Sequence, residues 1–193
     1  MTKHPGALYR LLRTARRTPD RLLHSARRRR TLRRLAERPR TTRVLVMCYG
    51  NICRSPFAAA RLAHLTAPLG VRVTSAGLFG PDRPTPREGC EAARARGVDL
   101  SGHRSQLVTR EVVREADVIV VMDAAQARAI VKRFGGTSQQ IVWLGDLDPN
   151  AIQTRRVHDP EAQAVTVFAE VYDRIERCVA AMAEALGAVP RVA

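Results

Sequence analysis

Val44-Leu45-Val46-Met47-Cys48-Tyr49-Gly50-Asn51-Ile52-Cys53-Arg54-Ser55-Pro56-Phe57-Ala58-Ala59-Ala60 is the stretch on which the reading of this chain turns. A run of β-formers ends in a cysteine, Gly50 and Asn51 stand where the backbone must turn, and a helix opens under Arg54-Ser55-Pro56. The first N–H groups of a helix have no partner within it and lie at the positive end of its dipole. A loop that delivers a strand into a helix start is therefore a cradle for an anion. Cys48 stands at the mouth of that cradle, where the same field favours a thiolate. Arg54, six residues on, can curl back and offer its planar fork to two phosphate oxygens, and Ser55 adds a hydroxyl beside the sulfur. Cys-x5-Arg alone arises by chance in a chain with four cysteines and many arginines. The apolar strand before it and the full string around it make the pattern specific, and a thiolate facing a bound phosphate is a nucleophile.

Outward from this stretch, strand and helix patterns alternate. Residues 54–67 read as a helix closed by Pro68 and Gly70, and 71–74 alternate apolar with polar as an edge strand does. A Gly- and Pro-punctuated loop covers 75–86, a helix 87–96 ends at Gly97, and a short helical piece spans 111–115. Residues 118–122 are apolar throughout, the mark of a strand covered on both faces. A helix over 123–134 stops at Gly135-Gly136, and a fourth strand at 141–144 precedes a long polar loop to Pro160. Val165, Phe168, Tyr172, Ile175, Val179, Met182 and Leu186 then mark one face of a last helix. The expected fold class is α/β: a doubly wound three-layer sandwich with a four-stranded parallel sheet, plus a basic N-terminal arm. Ligand loops of such a sheet gather at the carboxyl ends of the strands. Cys48, Ser75, Asp123 and the loop containing Asp159 all follow strands on this reading, so they can meet on one edge.

The string Cys48-Tyr49-Gly50-Asn51-Ile52-Cys53-Arg54-Ser55-Pro56 resembles the phosphate loop of the low-molecular-weight protein tyrosine phosphatases, bacterial type. Ser75-Ala76-Gly77, Ser101-Gly102-His103-Arg104-Ser105, Asp117 to Asp123, and Asp159-Pro160 match further pieces, so the resemblance covers roughly residues 43 to 187. It implies a cysteine-dependent phosphatase that hydrolyses phosphotyrosine in proteins through a cysteinyl-phosphate. Carried over residue by residue, Cys48 is the nucleophile, Arg54 the phosphate clamp and Asp159 the acid and then the base. Gly50, Asn51, Ile52, Cys53 and Ser55 bind the phosphate, with Ser55 on the thiolate, while Ser75 and His103 support the loop. No metal or cofactor is implied. Asp148, in Asp148-Pro149, is the rival acid; Asp159 is preferred because it opens the last helix as the family's acids do. His158 is a loop residue, and Cys90 and Cys178 read as small buried hydrophobes.

The chain also departs from the family. Many members carry one aromatic after Ser-Ala-Gly and another directly after the acid's Asp-Pro, which wall a slot for a phenyl ring. Here Leu78-Phe79 and Glu161 stand in those places, which weakens phosphotyrosine preference. Arsenate reductases of this fold relay a disulfide through cysteines after the third strand, and residues 123–136 hold none. Protein-arginine phosphatases carry Thr where this chain has Ile52. A catalytically weak phosphate-binding module with a nucleic-acid- or membrane-binding arm is the alternative of another class.

Charge divides the chain in two. The net charge is +15, but residues 1–43 hold 15 Lys and Arg against Asp20 and Glu37, leaving +2 for the remainder. The expected organisation is a basic amphipathic or disordered extension over 1–43 and a low-molecular-weight phosphatase-like domain over 44–193. Leu8, Leu11, Leu12 and Ala15, then Leu22, Leu23 and Ala26, then Leu32, Leu35 and Ala36 before Pro39, suggest two short helices joined at Pro19. Such an arm can lie on an anionic membrane, touch nucleic acid, pack on a protein or remain a mobile tail. Its removal is expected to leave hydrolysis of a small aryl phosphate unchanged. No apolar run suits a signal segment or a membrane span, and four cysteines without paired spacing suit a reducing cytoplasm. The partner implied is a tyrosine-phosphorylated protein, with a bacterial tyrosine kinase as the candidate.

Overall fold

Residues 7–38 and 41–188 are described by the computed structural model. Strands β1 (Arg43–Cys48), β2 (Arg72–Gly77), β3 (Val118–Val121) and β4 (Ile141–Trp143) pair in the order β2-β1-β3-β4, every neighbour parallel. Both faces of a parallel sheet are covered by its crossovers, and the alternation of side chains along β1 and β3 divides the core accordingly. Val44, Val46 and Cys48 belong with Val118, Val120 and Met122 to one core, whereas Leu45 and Met47 belong with Ile119 and Val121 to the other. Helices α2 (Arg54–Thr66), α3 (Arg87–Arg94) and α6 (Val165–Ala185) fill the first core; α4 (Arg110–Glu115) and α5 (Ala124–Phe134) fill the second. This is the expected three-layer sandwich. The expected apolar face of the last helix is the face α6 buries, through Phe168, Tyr172, Ile175, Val179 and Met182.

Two expectations about local structure are corrected. β2 runs on to Gly77, so Ser75 lies within the strand, opposite Val46, rather than in the loop after it. The ladder continues because Cys48 still pairs with Gly77, whose N–H donates to Gln106 O at 2.8 Å. The second correction is the arm. One helix, α1 (Ala7–Ala36), passes straight through Pro19. A proline inside a helix removes a backbone hydrogen bond and costs about 3 kcal/mol, which the docking of the following turns can offset. His24 Nε2 donates to Asp148 O at 2.9 Å, Arg28 Nε to Leu147 O at 3.3 Å, Arg34 Nη2 to Ile141 O at 2.6 Å and Arg38 Nη1 to Asp117 O at 2.6 Å.

The arm over residues 20–38 is therefore a docked helix and no free tail. Leu35 enters the core, but Leu22, Leu23 and Ala26 face outward, and the face turned to the domain is largely polar. Periodicity among apolar residues missed this because the contacts are arginine and histidine donors meeting backbone carbonyls. The side chains of Leu8, Leu11, Leu12 and Ala15, and the expected stop at Pro39, lie outside what is described. No helix among the described residues is long and apolar enough to cross a membrane.

Candidate active site

Cys48 closes β1 with its sulfur almost out of solvent, and two donors point at it: Asn51 N at 3.2 Å and Ser55 Oγ at 3.1 Å. The loop that supplies them is held by one side chain. Asn51 Nδ2 donates to Ser55 Oγ at 2.8 Å and to Ser75 Oγ at 2.9 Å, and its Oδ1 accepts from Gln106 N at 2.8 Å. Its carbonyl accepts from His103 Nε2 at 2.7 Å. Asn51 has a φ of 51°, in the left-handed region that a short amide tolerates better than most side chains. Fully buried and fully bonded, it fixes the loop from both sides. Gly77 is required for a different reason: a Cβ there would stand 2.8 Å from Tyr49 O and 2.9 Å from Asn51 N.

α2 starts at Arg54 without a side-chain cap, and Pro56 sits in its first turn, where a missing N–H leaves nothing unsatisfied. Ile52 and Cys53 turn their side chains into the core, so what they offer the cradle is backbone. Burial, and then the neighbouring Cys48, push the Cys53 thiol far up, so Cys53 stays protonated. Tyr172 steadies this corner from α6, donating to Cys53 O at 3.3 Å and stacking on Phe57 with ring centroids 4.0 Å apart.

Arg54 is among the largest fully buried side chains of the described residues. Its Nη2 pairs with Asp159 Oδ2 and its Nη1 donates to Val157 O at 3.2 Å, while its Nε is buried without a partner. A buried cation with an unused donor is costly by itself, and an anion brought in beside it would satisfy that donor. Asp159 remains about a third exposed, and its loop is tied to the end of β3 by Val157 N donating to Met122 O at 3.0 Å.

The rival aspartate faces elsewhere. Asp148 is buried against α6, held by Arg174 Nε at 3.1 Å and Arg177 Nε at 3.3 Å. Asp123, expected at the same edge, caps α5 instead, accepting from Ala125 N at 2.9 Å and Gln126 N at 3.1 Å. His158 is exposed and hydrogen-bonded to Gln163, as a loop residue. The structure thus brings together Cys48, Gly50, Asn51, Ile52, Cys53, Arg54, Ser55, Ser75, His103 and Asp159, and leaves Asp123 and Asp148 out.

The rim holds Phe79, which stands in the place of one of the family's slot aromatics, together with Tyr49 and residues that had no expected role. Tyr49 and Phe79, each about half exposed, stack with centroids 5.8 Å apart. Arg83 reaches over the loop, its guanidinium carbon 5.9 Å from the Phe79 ring centroid and its Nη2 2.9 Å from Glu161 Oε1. The segment through Ser105 shapes this rim: Ser105 Oγ donates to Gly80 O at 2.6 Å and accepts from Arg83 N at 2.9 Å. Gln106, Val157 and Tyr172 act through a backbone group or a distant hydroxyl, for which no local sequence signal exists. Arg83 had one faint signal, its place in the Gly80-Pro81-Asp82 turn.

Comparison with known proteins agrees with this geometry. The family model described as low molecular weight phosphotyrosine protein phosphatase matches residues 43–190. A probable low molecular weight protein-tyrosine-phosphatase, EpsP of Ralstonia nicotianae, is 36% identical over 150 residues, covering 77% of this chain and 94% of that protein. A protein-arginine-phosphatase of Geobacillus stearothermophilus is 30% identical over 151 residues, covering 75% of this chain and 95% of its own. Among solved structures, Vibrio vulnificus Wzb in complex with benzylphosphonate superposes with a TM-score of 0.66 at 27% identity, over 75% of this chain and 98% of that one. The match begins where β1 begins, so α1 lies outside it. Strand, phosphate loop and helix, the Arg54–Asp159 pair across them and the extent of the match lead to one conclusion: the chain belongs to the low molecular weight phosphotyrosine protein phosphatase family.

Proposed function

We propose that this phosphatase hydrolyses phosphotyrosine in proteins through a cysteinyl-phosphate, with Cys48 as nucleophile, Arg54 as clamp and Asp159 as acid and base. The observation that carries the reading is the convergence on one loop of a sulfur with two donors, a buried guanidinium with a free Nε, and a carboxylate at the far side of that guanidinium. A phosphomonoester dianion entering the loop takes Arg54 over from Asp159 and rests on the backbone N–H groups of residues 50–55. Cys48 attacks phosphorus in line: the S–P bond forms, the P–O bond to the tyrosyl oxygen breaks, and Asp159 gives that oxygen its proton. Water then attacks phosphorus, Asp159 takes a proton from it, and Cys48 leaves as thiolate. Asn51 and Ser55 donate to the sulfur as a thiolate before it attacks and again as it leaves, and Ser75 and His103 keep Asn51 in place. Donors already aimed at the equatorial oxygens need no rearrangement as charge develops, which is where most of the acceleration is expected.

The stacked Tyr49 and Phe79 support an aryl ring above the loop, and Ile52 stands where arginine-specific relatives carry Thr. Phosphoarginine is the second reading, favoured by the relatives that bear that name. The proposed partner is a tyrosine-phosphorylated protein, with a bacterial tyrosine kinase the candidate, in a reducing cytoplasm that keeps Cys48 free. Residues 44–193 are proposed as the phosphatase domain and residues 1–43 as an extension, docked through residues 20–38, with an anionic membrane or nucleic acid as candidate partners for its outward arginines. Phosphate release from phosphotyrosine, phosphoserine and phosphoarginine peptides tests the substrate reading. Faster release from phosphoarginine than from phosphotyrosine would reject it.

A further inference from the structure

Between α1 and α5 lies a cleft of about 750 Å³, away from Cys48 and lined by cations from both helices. Arg27 is taken by Asp20 at 2.7 Å, and Arg155 by Asp146, the one acid among the described residues that lines the cleft. Arg30 and Arg34 of α1 and Arg128 and Lys132 of α5 face the same space and make no ion pair among the described residues. Arg34 is partly buried; its Nη2 holds Ile141 O at 2.6 Å, but its Nε is buried without a partner. Burial, and then the nearby Arg38 and Arg30, hold the Arg34 guanidinium below the usual arginine range. Like charges gathered at a concave surface focus a positive field, which Asp146 offsets only in part and an anion from outside would relieve further.

The remaining wall is apolar in Ala127, Val131, Ile141 and the ring of Trp143, over which Arg155 lies at 3.7 Å, and polar but uncharged in Thr31, Ser138 and Gln139. A ligand that satisfies both kinds of wall carries several negative charges at one end and an apolar, planar group at the other. The volume is that of a small-molecule site, between roughly 300 and 1,000 Å³.

We propose that this cleft binds a nucleoside polyphosphate, with its phosphates on Arg30, Arg34, Arg128 and Lys132 and its base against the Val131 and Trp143 side. The site is built half from α1, which lies outside the family match that begins at residue 43, and half from residues within it.

Trp143 is the only tryptophan of the chain and reports directly on the cleft. Titration of the full chain with adenosine triphosphate should give a saturable, salt-sensitive change in its emission, with adenosine and inorganic phosphate each far weaker. The triple variant Arg30→Ala/Arg128→Ala/Lys132→Ala alters exposed side chains only and should bind at least about tenfold more weakly, a loss of about 1.4 kcal/mol. Its hydrolysis of an aryl phosphate should match the parent, which separates loss of the cleft from any failure of the reading of Cys48. No saturable change, or a change that persists in the triple variant, would overturn the proposal. So would a response to single-stranded DNA or to vesicles of anionic lipid without one to the nucleotide.

Discussion

The phosphate loop and the α1–α5 cleft both draw anions, by opposite means. The loop has a single buried cation, Arg54, and its specificity comes from donors fixed by Asn51, Ser55, Ser75 and His103. The cleft has cations in excess and few fixed donors, since Arg30, Arg128 and Lys132 are exposed side chains free to move. A rigid array can stabilise charge that develops during a reaction, because nothing has to reorganise. A mobile one can only concentrate charge that already exists. Chemistry is accordingly expected at the first, and binding alone at the second.

The sharpest way to break this contrast is Cys48→Ser, which should lower turnover by about 10⁴-fold or more on every phosphomonoester while leaving nucleotide-induced Trp143 emission intact. Activity retained by this variant would remove the basis for placing chemistry at the loop. Next in size is the acid. Asp159→Asn should slow a poor-leaving-group aryl phosphate by about 10²- to 10⁴-fold and an activated one far less. Asp148→Asn should show no such leaving-group dependence and should instead lower stability by about 1–3 kcal/mol, because Arg174 and Arg177 lose the charge they share. The reverse assignment would appear as leaving-group dependence in Asp148→Asn.

Rigidity of the loop is tested by Gly77→Ala. A methyl 2.8 Å from Tyr49 O must push the loop aside, at a cost of about 1–3 kcal/mol, and turnover should fall with it. Full activity with a normal melting temperature would show that the loop can yield.

The arm connects the two regions. Asp20 Oδ2 accepts from Arg155 N at 3.2 Å, and His24 holds Asp148 O, at opposite ends of the stretch that leads to Asp159. Removing residues 1–38 should therefore lower stability and slow the poor-leaving-group substrate several-fold, where the sequence alone leads one to expect no change. Unchanged turnover after truncation would restore that simpler view.

The smallest effect is in pH. Burial would raise the Asp20 carboxyl, but hydrogen bonds from Arg27 and from Arg155 N outweigh it and hold it below the usual range. Its contribution is present above the unfolded value near about 3.9 and is lost as pH falls through the lower folded one. Acid unfolding of Asp20→Ala and parent should then converge at the acid end and differ, by about 0.5–1 kcal/mol, at neutral pH. A constant difference at all pH values would show that the Asp20 charge does not help hold the arm to residue 155.

The sequence by itself carried the sheet, its helices and most of the loop, because each rests on local signals. The runs at 44–47 and 118–121 are apolar at every step, as a strand covered on both faces must be. Cys48, Asn51, Arg54 and Ser55 sit within eight residues, so short-range spacing places them on one turn. His103 and Asp159 came from resemblance rather than spacing, and tertiary structure was needed to show Asp159 on Arg54 and Asp148 turned toward α6. Only the fold, too, could show α1 running through Pro19 and docking by its arginines and His24. Those contacts reach backbone carbonyls more than 70 residues away in sequence, and a carbonyl acceptor leaves no mark in residue type.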